Sequence, residues 1–192
     1  MKKIITLFLL LHCGLAVAST DSLKEFYPEK GFYVDNGYGF GLLLKHDDRD
    51  VLKDSIWIDA RVGYQFRKNI GLHLEGSYFI SSMRNVPVVV DVTYFKIGPG
   101  VKLLFPIRDG RFSIFGDVMV GYGRMHASAD SLGVSASKGG VATAMDVGLT
   151  YKIQRWVGLS PYVALDSITG KVNGGQATSF WFISGAMANF FF

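Results

Sequence analysis

The chain has 192 residues, 49% of them apolar and 19% charged, with one cysteine and a formal net charge of +4. That length suits one domain, and no second long hydrophobic run follows the first few residues, which excludes a helical membrane protein. The 23 glycines and 14% aromatic residues suit a β-rich chain.

Met1-Lys2-Lys3 is a short basic start, Ile4 to Leu11 is an apolar run, and Ala16-Val17-Ala18 supplies the small residues that a signal peptidase reads. The run is too short to cross a hydrocarbon layer of ~30 Å. Residues 1–18 are therefore expected to be a cleaved signal peptide. Cys13 raises lipidation as an alternative, but His12 stands where such a site wants a small residue. Cys13 then leaves with the leader, and neither disulfides nor thiolate metal sites are expected. Losing Lys2 and Lys3 leaves 18 basic against 16 acidic residues, a net charge of +2. So balanced a chain is expected to have no nucleic-acid partner.

From residue 31 onward apolar and polar residues alternate, which places successive side chains on opposite faces of a strand. In residues 55–66, Ile56, Ile58, Ala60, Val62, Tyr64 and Phe66 make one face, and Trp57, Asp59, Arg61, Gly63 and Gln65 the other. The next segment sets Ile70, Leu72, Leu74, Tyr78 and Ile80 against Gly71, His73, Glu75 and Ser77. Eight strands follow from this pattern, at residues 32–44, 55–66, 70–80, 92–105, 112–125, 141–153, 157–168 and 180–192. Most are longer than the usual soluble strand of about 5 or 6 residues, and long enough for the 9 to 11 tilted residues that cross a membrane.

Short turns follow strands two, four and six, at Arg67-Lys68-Asn69, Pro106 to Arg111 and Gln154-Arg155-Trp156. Longer loops follow the odd-numbered strands, at about 45–54, 81–91, 126–140 and 169–179. The last two are rich in Ser, Gly and Ala and read as mobile. Asp35, Asp59, Arg61, Glu75, Lys96, Lys102, Asp117, Asp146, Lys152 and Asp166 all fall opposite the apolar face. A central Lys or Arg facing lipid would cost roughly 2–4 kcal/mol, so this parity is the one a barrel requires. Aromatics gather near the strand ends: Phe66, Phe105, Phe112, Tyr151, Trp156 and Phe192 at one rim, and Tyr78, Tyr94, Phe95, Tyr122, Phe180 and Phe182 at the other. Pro99 and Pro161 each predict a strand end, kink or bulge, since proline donates no ladder hydrogen bond.

The chain closes on Phe180-Trp-Phe-Ile-Ser-Gly-Ala-Met-Ala-Asn-Phe-Phe-Phe192. That ending resembles the last strand of a bacterial outer-membrane barrel. Val62-Gly-Tyr-Gln-Phe66 leading into Ile70 to Phe79, then Phe112 to Gly123, then Ser160-Pro-Tyr162, extend the likeness over most of residues 31–192. Together they resemble the small eight-stranded outer-membrane barrels, the group of the OmpA transmembrane domain, OmpX and the opacity proteins. The resemblance implies an all-β fold, an eight-stranded antiparallel up-and-down transmembrane β-barrel. It implies residues 19–30 as a short periplasmic segment, residues 31–192 as the barrel, and Phe190 and Phe192 as a signal to the outer-membrane assembly machinery. Lipid and lipopolysaccharide are the implied surroundings, a monomer the implied state, with long loops outside and both termini in the periplasm.

An eight-stranded barrel is just wide enough to be filled by side chains. Asp59, Arg61, Glu75, Lys96, Lys102, Asp117, Asp146, Lys152 and Asp166 are then expected to form an internal charge network. A plugged lumen is weighed against a gated polar path for protons or small solutes; a narrow pore or transporter resembling the OmpW group would instead require a lateral or luminal apolar path. An enzyme needs a nucleophile beside a base. His126-Ala-Ser128, with Asp130 beyond, superficially resembles the His-x-Ser of lipid A deacylases, but Ala129 replaces the expected asparagine. These read as loop residues, and neither catalytic residues nor a cofactor are assigned. The first loop, Lys45 to Asp50 with Lys53 and Asp54, carries both signs without a calcium-loop pattern. Val86-Pro-Val-Val-Val90 is β-prone and could offer an edge to a partner strand. The favoured reading is a structural or surface-interaction protein whose loops meet host or envelope components, with a transporter and a lipid-modifying enzyme as alternatives.

Overall fold

The computed structural model describes residues 30–45, 55–83, 90–107, 111–129, 132–172 and 175–192. Eight strands are present: β1 (Gly31–Lys45), β2 (Ser55–Arg67), β3 (Ile70–Met83), β4 (Val90–Ile107), β5 (Phe112–Ala129), β6 (Val134–Gln154), β7 (Val157–Val172) and β8 (Gly175–Phe191). Each pairs antiparallel with its neighbours in sequence, and β1 pairs with β8, so the sheet closes into a barrel. Closure satisfies the backbone groups that an open edge would leave exposed to lipid.

The sorting of side chains is the inverse of a soluble protein. Charged residues such as Asp35, Arg61, Glu75 and Lys96 are buried inside, while Phe32, Phe40, Val62, Leu74, Val118 and Leu165 stand exposed outside. Strict alternation produces this, and β2 runs buried and exposed by turns from Ser55 to Gln65. So wide an apolar outer surface needs a nonpolar solvent around it. The outward charges Arg67, Asp91, Arg124 and Lys171 lie toward strand ends, beyond the apolar belt. Outward aromatic pairs brace the rim that carries the termini, with ring centroids 5.0 Å apart for both Phe32–Tyr64 and Phe112–Tyr151.

Three expectations need correction. Residues expected as loops at 126–140 and 169–179 are largely strand: β5 pairs with β6 as far as Ala129↔Val134, and β7 with β8 as far as Val172↔Gly175. Small residues conceal this, because Ser, Ala and Gly give no apolar alternation yet pair freely, and Thr169 and Thr178 add a cross-strand hydrogen bond of 3.0 Å. Pro99 and Pro161 mark no strand end or bulge. Each faces outward within a continuous strand and interrupts the ladder on one side only. Bridging of β4 to β5 resumes in the same register from Ile97↔Tyr122 to Gly100↔Met119, and that of β6 to β7 from Gly148↔Tyr162 to Tyr151↔Leu159. The register shifts fall elsewhere, between Leu43 and Lys45, Gln65 and Arg67, and Lys152 and Gln154. Finally, Tyr94 is no girdle residue, since it points inward and is fully buried.

The turns at Lys68-Asn69 and Arg155-Trp156 are tight, as their spacing required. The leader, the first charged loop and most of the apolar segment Val86 to Val90 lie outside the described residues.

Candidate functional site

The barrel interior collects the chemistry of this chain. Arg61 projects inward from β2 and gathers four carboxylates, one from its own strand, one from neighbouring β3 and two from β5 and β6 across the lumen. Its guanidinium Nη2 donates to Asp59 Oδ2 at 2.6 Å and to Asp146 Oδ2; Nε lies 3.1 Å from Glu75 Oε2 and Nη1 3.6 Å from Asp117 Oδ2. A planar fork with five donors is the side chain suited to that many acceptors. Lys96 on β4 completes the cluster, 2.8 Å from Glu75 Oε1 and 2.5 Å from Asp166 Oδ2. Ser77 donates to Asp59 Oδ1 at 2.7 Å. Seven of the nine charged residues singled out above therefore meet in one central layer.

The other two lie nearer the termini. Lys102 donates to Asp35 Oδ2 at 2.6 Å, and Asn189 Nδ2 donates to Asp35 Oδ1 at 2.8 Å. Ser160 donates to Asn189 Oδ1 and also meets Thr150 at 2.8 Å. The ammonium of Lys152 stands 3.9 Å from the centroid of the Phe191 ring, a cation–π contact. The assembly residues named from the resemblance are on the opposite face: Phe192 is exposed and Phe190 half-buried.

Toward the loop end an aromatic layer covers the central charges. Tyr94 stacks on Trp181 at 5.0 Å, Trp57 lies 5.5 Å from Phe79 and 5.7 Å from Tyr94, and Phe79 lies 6.2 Å from Trp181. All four side chains are at most 2% exposed, so the layer fills the cross-section. Lys96 Nζ stands 5.4 Å from the Trp57 ring, which ties this layer to the charges beneath it. Gly39 of β1 packs closely on β8 beside it: a Cβ there would come within 2.9 Å of the Ser184 carbonyl and 3.0 Å of Ile183.

Sequence reasoning placed His73 on the inner face but gave it no role. Its Nδ1 meets the Tyr33 hydroxyl at 3.1 Å, and its Nε2 faces Asp117 and Glu75. Lys138 was missed because its segment read as a loop; it is buried and donates to the Ile168 carbonyl at 3.4 Å. Among the described residues, two groups have the spacing of metal ligands, His73 with Glu75 and Asp117, and Asp59 with Glu75 and Asp146. Arg61 contacts carboxylates of both groups, Glu75 and Asp117 in the first and all three in the second. His126 and Ser128 belong to β5 rather than to a loop, and both are on its outward face; Asp130 lies outside the described residues.

Residues 6–166 match the family described as the outer membrane protein beta-barrel domain. The chain belongs to that family. It is an outer-membrane protein, in agreement with its ring of eight strands and its inverted polarity. Among solved structures it is similar to Neisserial surface protein A, with a TM-score of 0.66 and 16% identity over 84% of this chain and 97% of that one. It is also similar to Ail, the attachment invasion locus protein of Yersinia pestis, with a TM-score of 0.51 and 20% identity over 83% and 99%. The same protein in complex with the heparin analogue sucrose octasulfate gives a TM-score of 0.54 and 17% identity over 85% and 100%. No curated protein matches the chain by sequence. Identities this low speak for the fold alone.

Proposed function

We propose that this family member is a non-catalytic surface-interaction barrel that acts through the hairpins at its loop end and does not conduct solutes. The carrying observation is the filled lumen. An Arg61-centred charge layer lies beneath four packed aromatic rings, and together they leave side chains where a pore needs water. An apolar conduit is disfavoured by the same charges.

The β5–β6 hairpin is the best-defined element for contact. Among the described residues, β6 pairs with β7 only from Gly140↔Gly170, so Val134 to Ser137 have β5 on one side and no β7 partner on the other. Such an edge accepts an extended peptide by strand addition. The attachment protein Ail, with the same fold, carries a heparin analogue in one structure, which supports a role in surface contact for this architecture. Both termini and the short turns then face the periplasm.

The test has two arms. Purified barrel in a planar bilayer is expected to be electrically silent. Replacing residues 126–137 by an Asn-Gly turn should abolish adhesion of expressing cells to host cells, with the heat-shifted gel mobility of the folded barrel unchanged. Steady conductance, or adhesion that survives shortening of every loop-end hairpin in turn, would sink this reading.

A further inference from the structure

We infer that the lumen binds one divalent transition-metal ion through His73 Nε2, Glu75 and Asp117. His73 Nε2 lies 3.5 Å from Asp117 Oδ1 and 3.7 Å from Glu75 Oε2, and donor atoms of all three lie within 4.8 Å of one another. Metal bonds of about 2.0–2.2 Å in tetrahedral geometry separate such donors by roughly 3.3–3.6 Å. The two histidine distances already suit such a site, and the carboxylates, within 4.8 Å of each other, close on it by at most about 1.5 Å.

Two further observations point to a ligand there. His73 Nε2 is sealed from solvent and has no hydrogen-bond partner, although it is aimed between two carboxylates. Its other nitrogen is held by Tyr33 at 3.1 Å. With Nδ1 donating to the Tyr33 oxygen, Nε2 presents its lone pair to the site, as metal-bound histidines do. Glycines seat both rings: a Cβ on Gly100 would fall 2.3 Å from His73 Nε2, and one on Gly63 would fall 2.4 Å from the Tyr33 ring.

Charge supplies the driving force. By formal charge, five carboxylates, Asp59, Glu75, Asp117, Asp146 and Asp166, outnumber Arg61 and Lys96 in the central layer by three. Buried charge of one sign is expensive, and a divalent ion removes two of the three. Arg61, with Nε 3.1 Å from the same Glu75 Oε2 that faces His73 and Nη1 3.6 Å from Asp117 Oδ2, acts as a positioning residue for both ligands. One imidazole with two carboxylates suits Zn²⁺, Co²⁺ or Mn²⁺ better than Ca²⁺, which takes oxygen ligands in greater number.

The full chain, refolded in detergent and freed of metal, is given Co²⁺ or Zn²⁺ and desalted. The wild type is expected to retain about one equivalent of either metal and to show the visible absorption of tetrahedral Co²⁺. His126→Ala, which removes an exposed histidine, should behave the same, whereas His73→Phe should lose both signals. No retention by the wild type, or equal retention by His73→Phe, overturns the assignment. If His73→Phe does not fold, ¹⁵N-histidine spectra of the wild type decide the matter. A metal-bound shift of His73 Nε2 on adding Zn²⁺ upholds the site, and an unmoved resonance overturns it.

Discussion

Arg61 is the residue on which the interior depends most. A single guanidinium contacts Asp59, Glu75, Asp117 and Asp146, so its removal leaves four carboxylates facing one another in a space closed to water. Breaking a buried pair by deleting one partner costs about 3–5 kcal/mol, because the remaining charge stays desolvated. Arg61→Met should lose at least that much in urea unfolding of the lipid-embedded barrel, read from the gel shift between folded and unfolded forms. Lys102→Met is expected to cost less. Asp35, its partner, still accepts from Asn189 at 2.8 Å and carries one charge rather than four. Equal losses for the two variants would contradict the central place given to Arg61. Parity made the inward direction of both residues legible in the sequence. What parity could not supply was depth: Arg61 and Lys102 read alike there, and only the register across β2, β3 and β4 separates their layers.

Strands were legible where large apolar residues mark one face, and illegible where they stop. Ile56 to Tyr64 announces β2 unambiguously, while Val134-Ser-Ala-Ser-Lys-Gly-Gly140 has the composition of a loop and is nevertheless the outer end of β6. The reason is physical: beyond the lipid belt no nonpolar solvent demands apolar residues, so backbone pairing alone specifies the strand. Tyr94 illustrates the converse failure. It was read by composition as a girdle residue, although its neighbour Phe95 already occupies the outward face and leaves Tyr94 the inward one. The prolines were misread because a strand in a closed barrel is held from both sides. Leu74↔Pro99 and Pro161↔Ala186 persist while bridging on the opposite flank lapses. Pro99→Val restores an N–H toward β5 without changing the outward apolar character. It is expected to raise stability by about 1 kcal/mol, the usual net worth of one backbone hydrogen bond. A chemical-denaturation midpoint lower than that of the wild type would show that the proline fits a local geometry valine cannot adopt.

At the scale of the whole molecule, closure rests on the chain's own ends. β1 and β8 pair from Tyr33↔Phe191 to Lys45↔Phe180, so the first strand to be made waits for the last. The terminal residue adds little to that seam. Phe192 donates its backbone N–H to the Phe32 carbonyl at 2.8 Å, its side chain is exposed, and the inward contacts of the strand end are made by Phe191. Most of the β1–β8 ladder lies further along, so truncating Phe192 removes one backbone hydrogen bond of modest net value. Stability and assembly can therefore be separated by this one deletion. If Phe192, with Phe190 beside it on the outward face, serves as the signal to the assembly machinery, the truncated chain should refold in detergent much as the wild type does. In cells it should fail to accumulate in the outer membrane. Normal accumulation of the heat-modifiable form in cells would refute that role. Failure in both settings would instead assign Phe192 to the seam itself, leaving the closing strand important for structure rather than for recognition.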